Sequence, residues 1–144
     1  MAYESCVLKG LFVVRWGARP ELRDLDAYVG ELAAARKTQG APLVSLFIMP
    51  ENSAAPDEIF RKQQSMRLGQ VMENSSYCIA VFEGSSFMLS LKRSALAAIL
   101  LFAPSRARVH VRSSVEDALV KDPPGPIGFD APKAIAELKR RRLC

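Results

Sequence analysis

Few residues in this chain are of the types that pair into a nucleophile and a base, and their spacing decides what they can do. The one histidine, His110, stands between Val109 and Val111 in "ARVHVRS" (residues 107–113). The three cysteines, Cys6, Cys78 and Cys144, are far apart. A thiolate is activated when a base lies within hydrogen-bond reach. Cys78, in "YCIAVFEG" (residues 77–84), meets His110 only if their strands are neighbours and both side chains share a face. Strand alternation turns His110 away from its flanking valines, so valines facing a core would send it outward. Cys6 and Cys78 lie in apolar runs, where a free cysteine serves as a small hydrophobe. No Cys, His, Asp or Glu recurs at metal-ligand spacing, so neither a metal nor a cofactor is expected.

Carboxylates offer a second chemistry. Glu51, Asp57, Glu58 and Glu83 all follow the ends of apolar runs and could share one rim. A working dyad needs two of them a few ångströms apart in a pocket; solvated loop acids are the simpler reading. "FEGSSF" (residues 82–87) is a strand-to-helix turn whose free N–H groups could hold an anion. It lacks the lysine and second glycine of a phosphate loop, and Ser85 or Ser86 reads as a helix cap. The remaining tip, "LFIMPENSAAPDE" (residues 46–58), stops an apolar run at Pro50 and holds Asn52, Ser53 and Asp57 before the next helix. Strand-end tips of this kind are where α/β proteins place ligands.

Basic residues could serve an anionic partner. The net charge is +5, and "ELKRRRLC" (residues 137–144) contributes four cations. Arg106, Arg108, Arg140, Arg141 and Arg142 are the candidate anion-binding set, with Arg112 nearby. Neither a recognition helix nor an aromatic stacking platform accompanies them, so nucleic acid is not expected. An anionic membrane surface is a weaker alternative, and the plainest reading of the tail is a solvated helix end favoured by the macrodipole.

The elements that must position these residues follow from periodicity. "YESCVL" and "LFVVRW" flank Lys9-Gly10 as an N-terminal hairpin or two short edge strands. A helix is predicted from about Pro20, with Leu22, Leu25, Val29, Leu32 and Ala33 inward and Gly40 as its stop. "PLVSLFIM" (residues 42–49) is continuously apolar, as in a strand covered on both faces. The next helix, from Pro56 to about Asn74, offers Ile59, Phe60, Met66, Leu68, Val71 and Met72 inward, with Arg61, Lys62 and Gln64 on its polar side. After the strand at 77–84, residues 86–102 read as a helix apolar nearly all round, hence buried in the domain or against another copy. Phe87, Leu91, Ala98 and Leu101 are the interface candidates there. A last edge strand precedes "SSVEDALV", where Ser113 and Glu116 are spaced as a capping box. Residues 122–129, "DPPGPIGF", form a stiff linker to a terminal helix capped near Asp130.

The expected fold class is therefore α/β: a mixed sheet of four to five strands, parallel in its core, with crossover helices and a C-terminal helix. The 144 residues suit one domain, 1–121, with 122–144 as linker and basic helix packed on it. No apolar run is long enough to span a bilayer. The N-terminus has no signal-peptide pattern, and the cysteine usage suits a reducing cytoplasm.

"LFVVRWGARPELRDLDAYVGEL" at one end and "RVHVRSSVEDAL" at the other give the chain a likeness to a known family. It resembles the STAS domain of anti-anti-sigma factors and sulfate-transporter tails, and more loosely the lipid-binding STAS-like variants. Residues 11–17 take the place of the strand leading into the first helix, and residues 114–119 that of the closing Ser/Thr-Val-Glu-Glu-Ala-Leu segment. The resemblance spans roughly residues 3–120. It implies a non-catalytic protein–protein interaction module of bacterial signalling, docking on a regulatory kinase, a GTPase regulator or itself as a homodimer. It also implies a switchable serine after the second core strand, a place that Ser53 fills without the family's following glycine; Pro56 intervenes before the helix. The expected partner surface is Asn52, Ser53 and Asp57 with Arg61, Lys62 and Gln64. The alternatives are a small-ligand or anionic-lipid binder using helix 86–102 and the basic residues, and a small hydrolase or redox enzyme built on Cys78 or Glu83.

Overall fold

Alternation and helical period resolve into a five-stranded sheet with helices on both faces. The structure, a computed structural model, describes residues 3–53, 56–84, 93–94, 96–97, 109–121 and 129–144. Strands β1 (Tyr3–Leu8) and β2 (Leu11–Trp16) form an antiparallel hairpin; β3 (Leu43–Met49), β4 (Ser75–Phe82) and β5 (Val109–Arg112) add in sequence order, each parallel to its neighbour. Helix α1 (Leu22–Gln39) joins β2 to β3, and α2 (Glu58–Glu73) joins β3 to β4. Helices α3 (Val115–Lys121) and α4 (Ala131–Arg140) follow β5. The hairpin turn has its left-handed residue only at the second position, Gly10 (φ 75°). That is the pattern of a type II turn, which demands glycine there. Gln39, at the end of α1, clasps this turn by accepting from the Gly10 N–H at 2.8 Å and donating to the Leu8 carbonyl at 3.0 Å.

Strand order then dictates the layers. Successive parallel strands advance in one direction, so right-handed crossovers put their helices on one face. Accordingly α1 and α2 share a face, where they bury Phe12, Val14 and Trp16 of β2, Leu43 of β3 and Cys78 of β4. The opposite face carries Leu11 and Val13, Val44, Leu46 and Ile48, and Ile79 and Val81. It is covered by α3 and α4 through Val115, Ala118, Leu119, Ala134 and Leu138, with Leu143 beyond the last helix. Both faces of β3 are thus buried, which explains its unbroken apolar run.

Several expectations are corrected. β2 is an interior strand rather than an edge. Leu22 and Ala33 face outward on α1; the buried stripe is Leu25, Tyr28, Leu32 and Ala35, centred on Tyr28. On α2, Ile59 and Met66 are 65% and 67% exposed. At about 100° per residue they lie roughly 180° around the helix from Leu68, so one face could not hold all six candidates. The cap of α3 is Ser114, whose Oγ accepts from the Asp117 N–H at 3.0 Å, one residue beyond the expected Ser113–Glu116 pair. The cap of α4 is Asp130, accepting from the Lys133 N–H at 3.1 Å. Among the described helices none is long and apolar enough to cross a membrane.

Candidate functional site

The carboxyl ends of β3 and β4 form the tip that the sequence singled out. Pro50 ends β3, and the Ser53 N–H donates to the Pro50 carbonyl at 3.0 Å, closing a turn. That turn carries Ser53 inward: it is 3% exposed, while Asn52 beside it is in solvent. Any enzyme acting on the Ser53 hydroxyl must first open the turn. Asp57 is taken up locally, its carboxylate accepting from the Phe60 N–H at 2.8 Å as the N-cap of α2. Glu51 lies across Gly84. A Cβ on Gly84 would stand 2.7 Å from Glu51 Cγ, and its φ of +99° also selects glycine. Glu83 pairs with Arg15 at 2.8 Å, and its N–H donates to the Met49 carbonyl at 3.0 Å. Arg15 also donates to the Leu143 carbonyl at 3.2 Å, tying the tip to the segment after α4. The rim acids thus have separate occupations, and Glu58 stands exposed on the first turn of α2.

The cysteine and the histidine are on adjacent strands but on opposite faces. Cys78 registers with Val109, and Ile79 with His110. Cys78 therefore points under α1 and α2, whereas His110 shares the other face and stacks on Tyr77 (ring centroids 5.4 Å apart). His110 is half-buried rather than turned to solvent, and Val111 is 39% exposed. No Cys78–His110 couple can form in this register. Burial pushes the Cys6 thiol above its ordinary range. Among the described residues no group of three His, Cys, Asp or Glu could hold a metal ion.

The basic tail is engaged with acids. Glu137 receives Arg140 at 2.6 Å and Arg141 at 2.8 Å, which hold its carboxyl down to about 2. Lys139 reaches Glu116 of α3 at 3.0 Å. Arg142 is exposed, with a left-handed φ of 59°. Arg106 and Arg108 lie outside the described residues, as do the interface candidates Phe87, Leu91, Ala98 and Leu101 and the caps Ser85 and Ser86.

The outer face of α2 differs from what its composition suggested. Ile59, Lys62, Met66, Gln70 and Glu73, at spacings of three and four, are all exposed and line one stripe. Arg61 and Gln64 lie round toward the sheet and are half-buried. Gln64 lines a cavity of about 50 Å³ under α2. Sequence reasoning also missed three polar links. Glu31 of α1 accepts from Tyr3 Oη at 2.7 Å and Ser5 Oγ at 2.5 Å; Arg67 of α2 donates to Asp26 of α1 at 2.7 Å; and Arg15 meets Glu83. The available signal for the last was an arginine inside an otherwise apolar strand, with a glutamate just past another.

No family model matches the sequence, and no curated protein matches it.

Proposed function

We propose that the chain is a non-catalytic protein–protein interaction module of the STAS-like kind, acting in regulation, whose partner docks on the outer face of α2 beside the Asn52 tip. The observation that carries this reading is the exposure of Ile59 and Met66, two large apolar side chains seven residues apart on one helix stripe with Lys62 between them. Single exposed hydrophobes are ordinary; a pair at helical spacing is the anchor pattern of a helix read by a groove. Two features agree with the resemblance. β2 leads directly into α1, and β5 leads into a capped helix carrying "VEDAL". In addition, the described parallel strands never reverse order, so they form no switch-point crevice of the sort α/β enzymes use. The anionic-lipid alternative draws less support, because Lys139, Arg140 and Arg141 already face Glu116 and Glu137.

The test is a photo-crosslinking side chain placed at position 66 and, as control, at the exposed position 133 on α4, in the native host. The expected result is a discrete adduct from position 66 that disappears with Ile59→Glu while the protein stays folded. An adduct of twice the chain's mass would make the partner a second copy. Position 66 giving no adduct beyond that of position 133 would overturn the reading.

A further inference from the structure

β1 is an outermost strand of the sheet. Across the two-residue turn Lys9-Gly10, Leu8 and Leu11 form the first hydrogen-bonded pair, so Cys6 with Val13 and Glu4 with Arg15 form the next ones. The N–H and carbonyl groups of Tyr3, Ser5 and Val7 therefore point away from β2, and they bond to no described residue. A row of open donors and acceptors is a template for another strand, and proteins blunt such edges with proline, lysine, a bulge or brevity. β1 has six residues in regular register and contains neither proline nor lysine. Instead it leaves Val7 44% exposed, and Glu4 stands in solvent without a described cation beside it.

We infer that β1 is a self-association edge, on which a second copy of this chain pairs its own β1 antiparallel about a two-fold axis at Ser5, joining the two sheets into one. The register follows from which groups are open. Bonded pairs must join outward-pointing residues, so Tyr3 meets the partner's Val7, Ser5 meets the partner's Ser5, and Val7 meets the partner's Tyr3. Any other centring sends one of the three past an end of the strand. Three matches favour a second copy over a foreign strand. On the α1 face, the exposed Val7 is covered by the partner's Tyr3. On the α4 face, Glu4 stands opposite the partner's Cys6. Arg140 and Arg141 lie within electrostatic reach of Cys6 in each chain, so each Glu4 gains cations, twice by symmetry. The third match is helical. α1 lies over β1 and β2, with Glu31 accepting from Tyr3 and Ser5 and with Tyr28 edge-on to Trp16. With strands about 4.8 Å apart, the two α1 axes come to about 10 Å, a helix-packing distance. Ala27 and Ala34, four before and three after Glu31, share its flank and are exposed; their small side chains permit that approach. This edge is separate from the α2 stripe, so the inference does not rest on the docking reading.

The test is light scattering on the intact chain over a concentration series, where wild type is expected to reach twice the chain's mass. Val7→Pro deletes one outward N–H per copy and leaves the β1–β2 ladder whole. It should weaken the dimer about thirtyfold while the circular dichroism stays that of wild type. Ala34→Arg, at an exposed helix position, should weaken it through α1 without touching the strand. Glu4→Cys reads the register: it faces the partner's Cys6 in a non-bonded pair, with Cα atoms about 4.5 Å apart, within disulfide reach. An added thiol oxidant should then give a covalent dimer that Cys6→Ala abolishes. A wild type that stays monomeric throughout the series would overturn the inference, as would a dimer that both Val7→Pro and Ala34→Arg leave intact. So would the absence of the covalent dimer. A dimer abolished by Ile59→Glu would place the contact on α2 and overturn it too.

Discussion

The two faces of one sheet are built differently. Under α3 and α4 the buried side chains are almost all aliphatic: Leu11, Val13, Val44, Leu46, Ile48, Ile79, Val81, Leu119 and Leu138. Under α1 and α2 a cluster of aromatic rings, Tyr3, Trp16, Tyr28 and Phe60 with the half-buried Phe47, joins aliphatic side chains such as Val14, Leu25, Leu32, Leu43 and Val71, the rings meeting in edge or tilted contacts. The aliphatic layer interlocks with short helices and is closed by Leu143. The aromatic layer lines a partly open pocket of about 50 Å³, and the Ser45–Ser75 hydroxyl pair, 2.7 Å apart, is buried in it. Flat rings on a pleated surface leave gaps that branched aliphatic chains fill. The helix that covers part of this pocket, α2, also carries the exposed apolar stripe of Ile59 and Met66.

The same substitution on each face tests this contrast with the largest effect. Leu138→Ala removes a side chain with no exposed surface from the aliphatic layer, and a loss of about 2–5 kcal/mol is expected from urea unfolding with an unchanged slope. Leu68→Ala, half-buried beside a space already present, should lose less than about 2 kcal/mol. Equal losses would mean that the two layers are packed alike, and the contrast would fall. The first result also bears on the C-terminal helix. If Leu138→Ala is as costly as expected, α4 is part of the core that completes the second face.

Ser45→Ala probes the polar content of the aromatic layer. Ser45 is fully buried and shares a hydrogen bond with Ser75, so removing its hydroxyl should destabilise by about 0.5–1.5 kcal/mol. A stabilised variant would show that the pair is dispensable to that face. Smaller still is Ile59→Lys, on the outside of the same layer. Since Ile59 is 65% exposed, the urea midpoint should shift by an amount worth less than about 0.5 kcal/mol. A larger loss would place Ile59 in the core and remove the basis of the docking stripe.

How far the sequence reached differs along the same line. The strands, the parallel core, the caps at Gly40 and Asp130 and the burial of Cys6 and Cys78 follow from local pattern, because alternation and capping act within a few residues. Strand order was beyond it, and with strand order went the knowledge that Cys78 and His110 oppose each other. The α2 stripe was legible but misjudged: hydrophobicity was counted, while the angle between Ile59 and Leu68 already separated them. The inward turn of Ser53 goes with a backbone hydrogen bond to Pro50, and the pocket depends on how rings from α1 and two strands, Tyr28, Trp16 and Phe47, meet α2. Neither leaves a mark in residue spacing.

The smallest effect concerns charge, and it separates the faces by pH. The Glu137 carboxyl is lowered from an ordinary 4.5 to about 2 by Arg140 and then Arg141. A group whose folded value is depressed contributes stability above its unfolded value and loses it as pH falls through the folded one. The contribution from α4 is therefore complete above about pH 4.5 and is lost on the way down to about 2. Asp26, lowered by its hydrogen bond to Arg67, behaves in the same sense between α1 and α2. Asp26 is exposed and Glu137 half-buried at the surface, so the effect is modest and salt should screen it. Urea midpoints followed down that pH range should fall in wild type and fall less in Glu137→Gln. Asp26→Asn should flatten the same curve less than Glu137→Gln does, because Asp26 has one arginine where Glu137 has two. If Asp26→Asn flattens it more, the electrostatic clasp that matters is the one joining α1 to α2. The aromatic face would then be held by charge where the aliphatic face is held by packing.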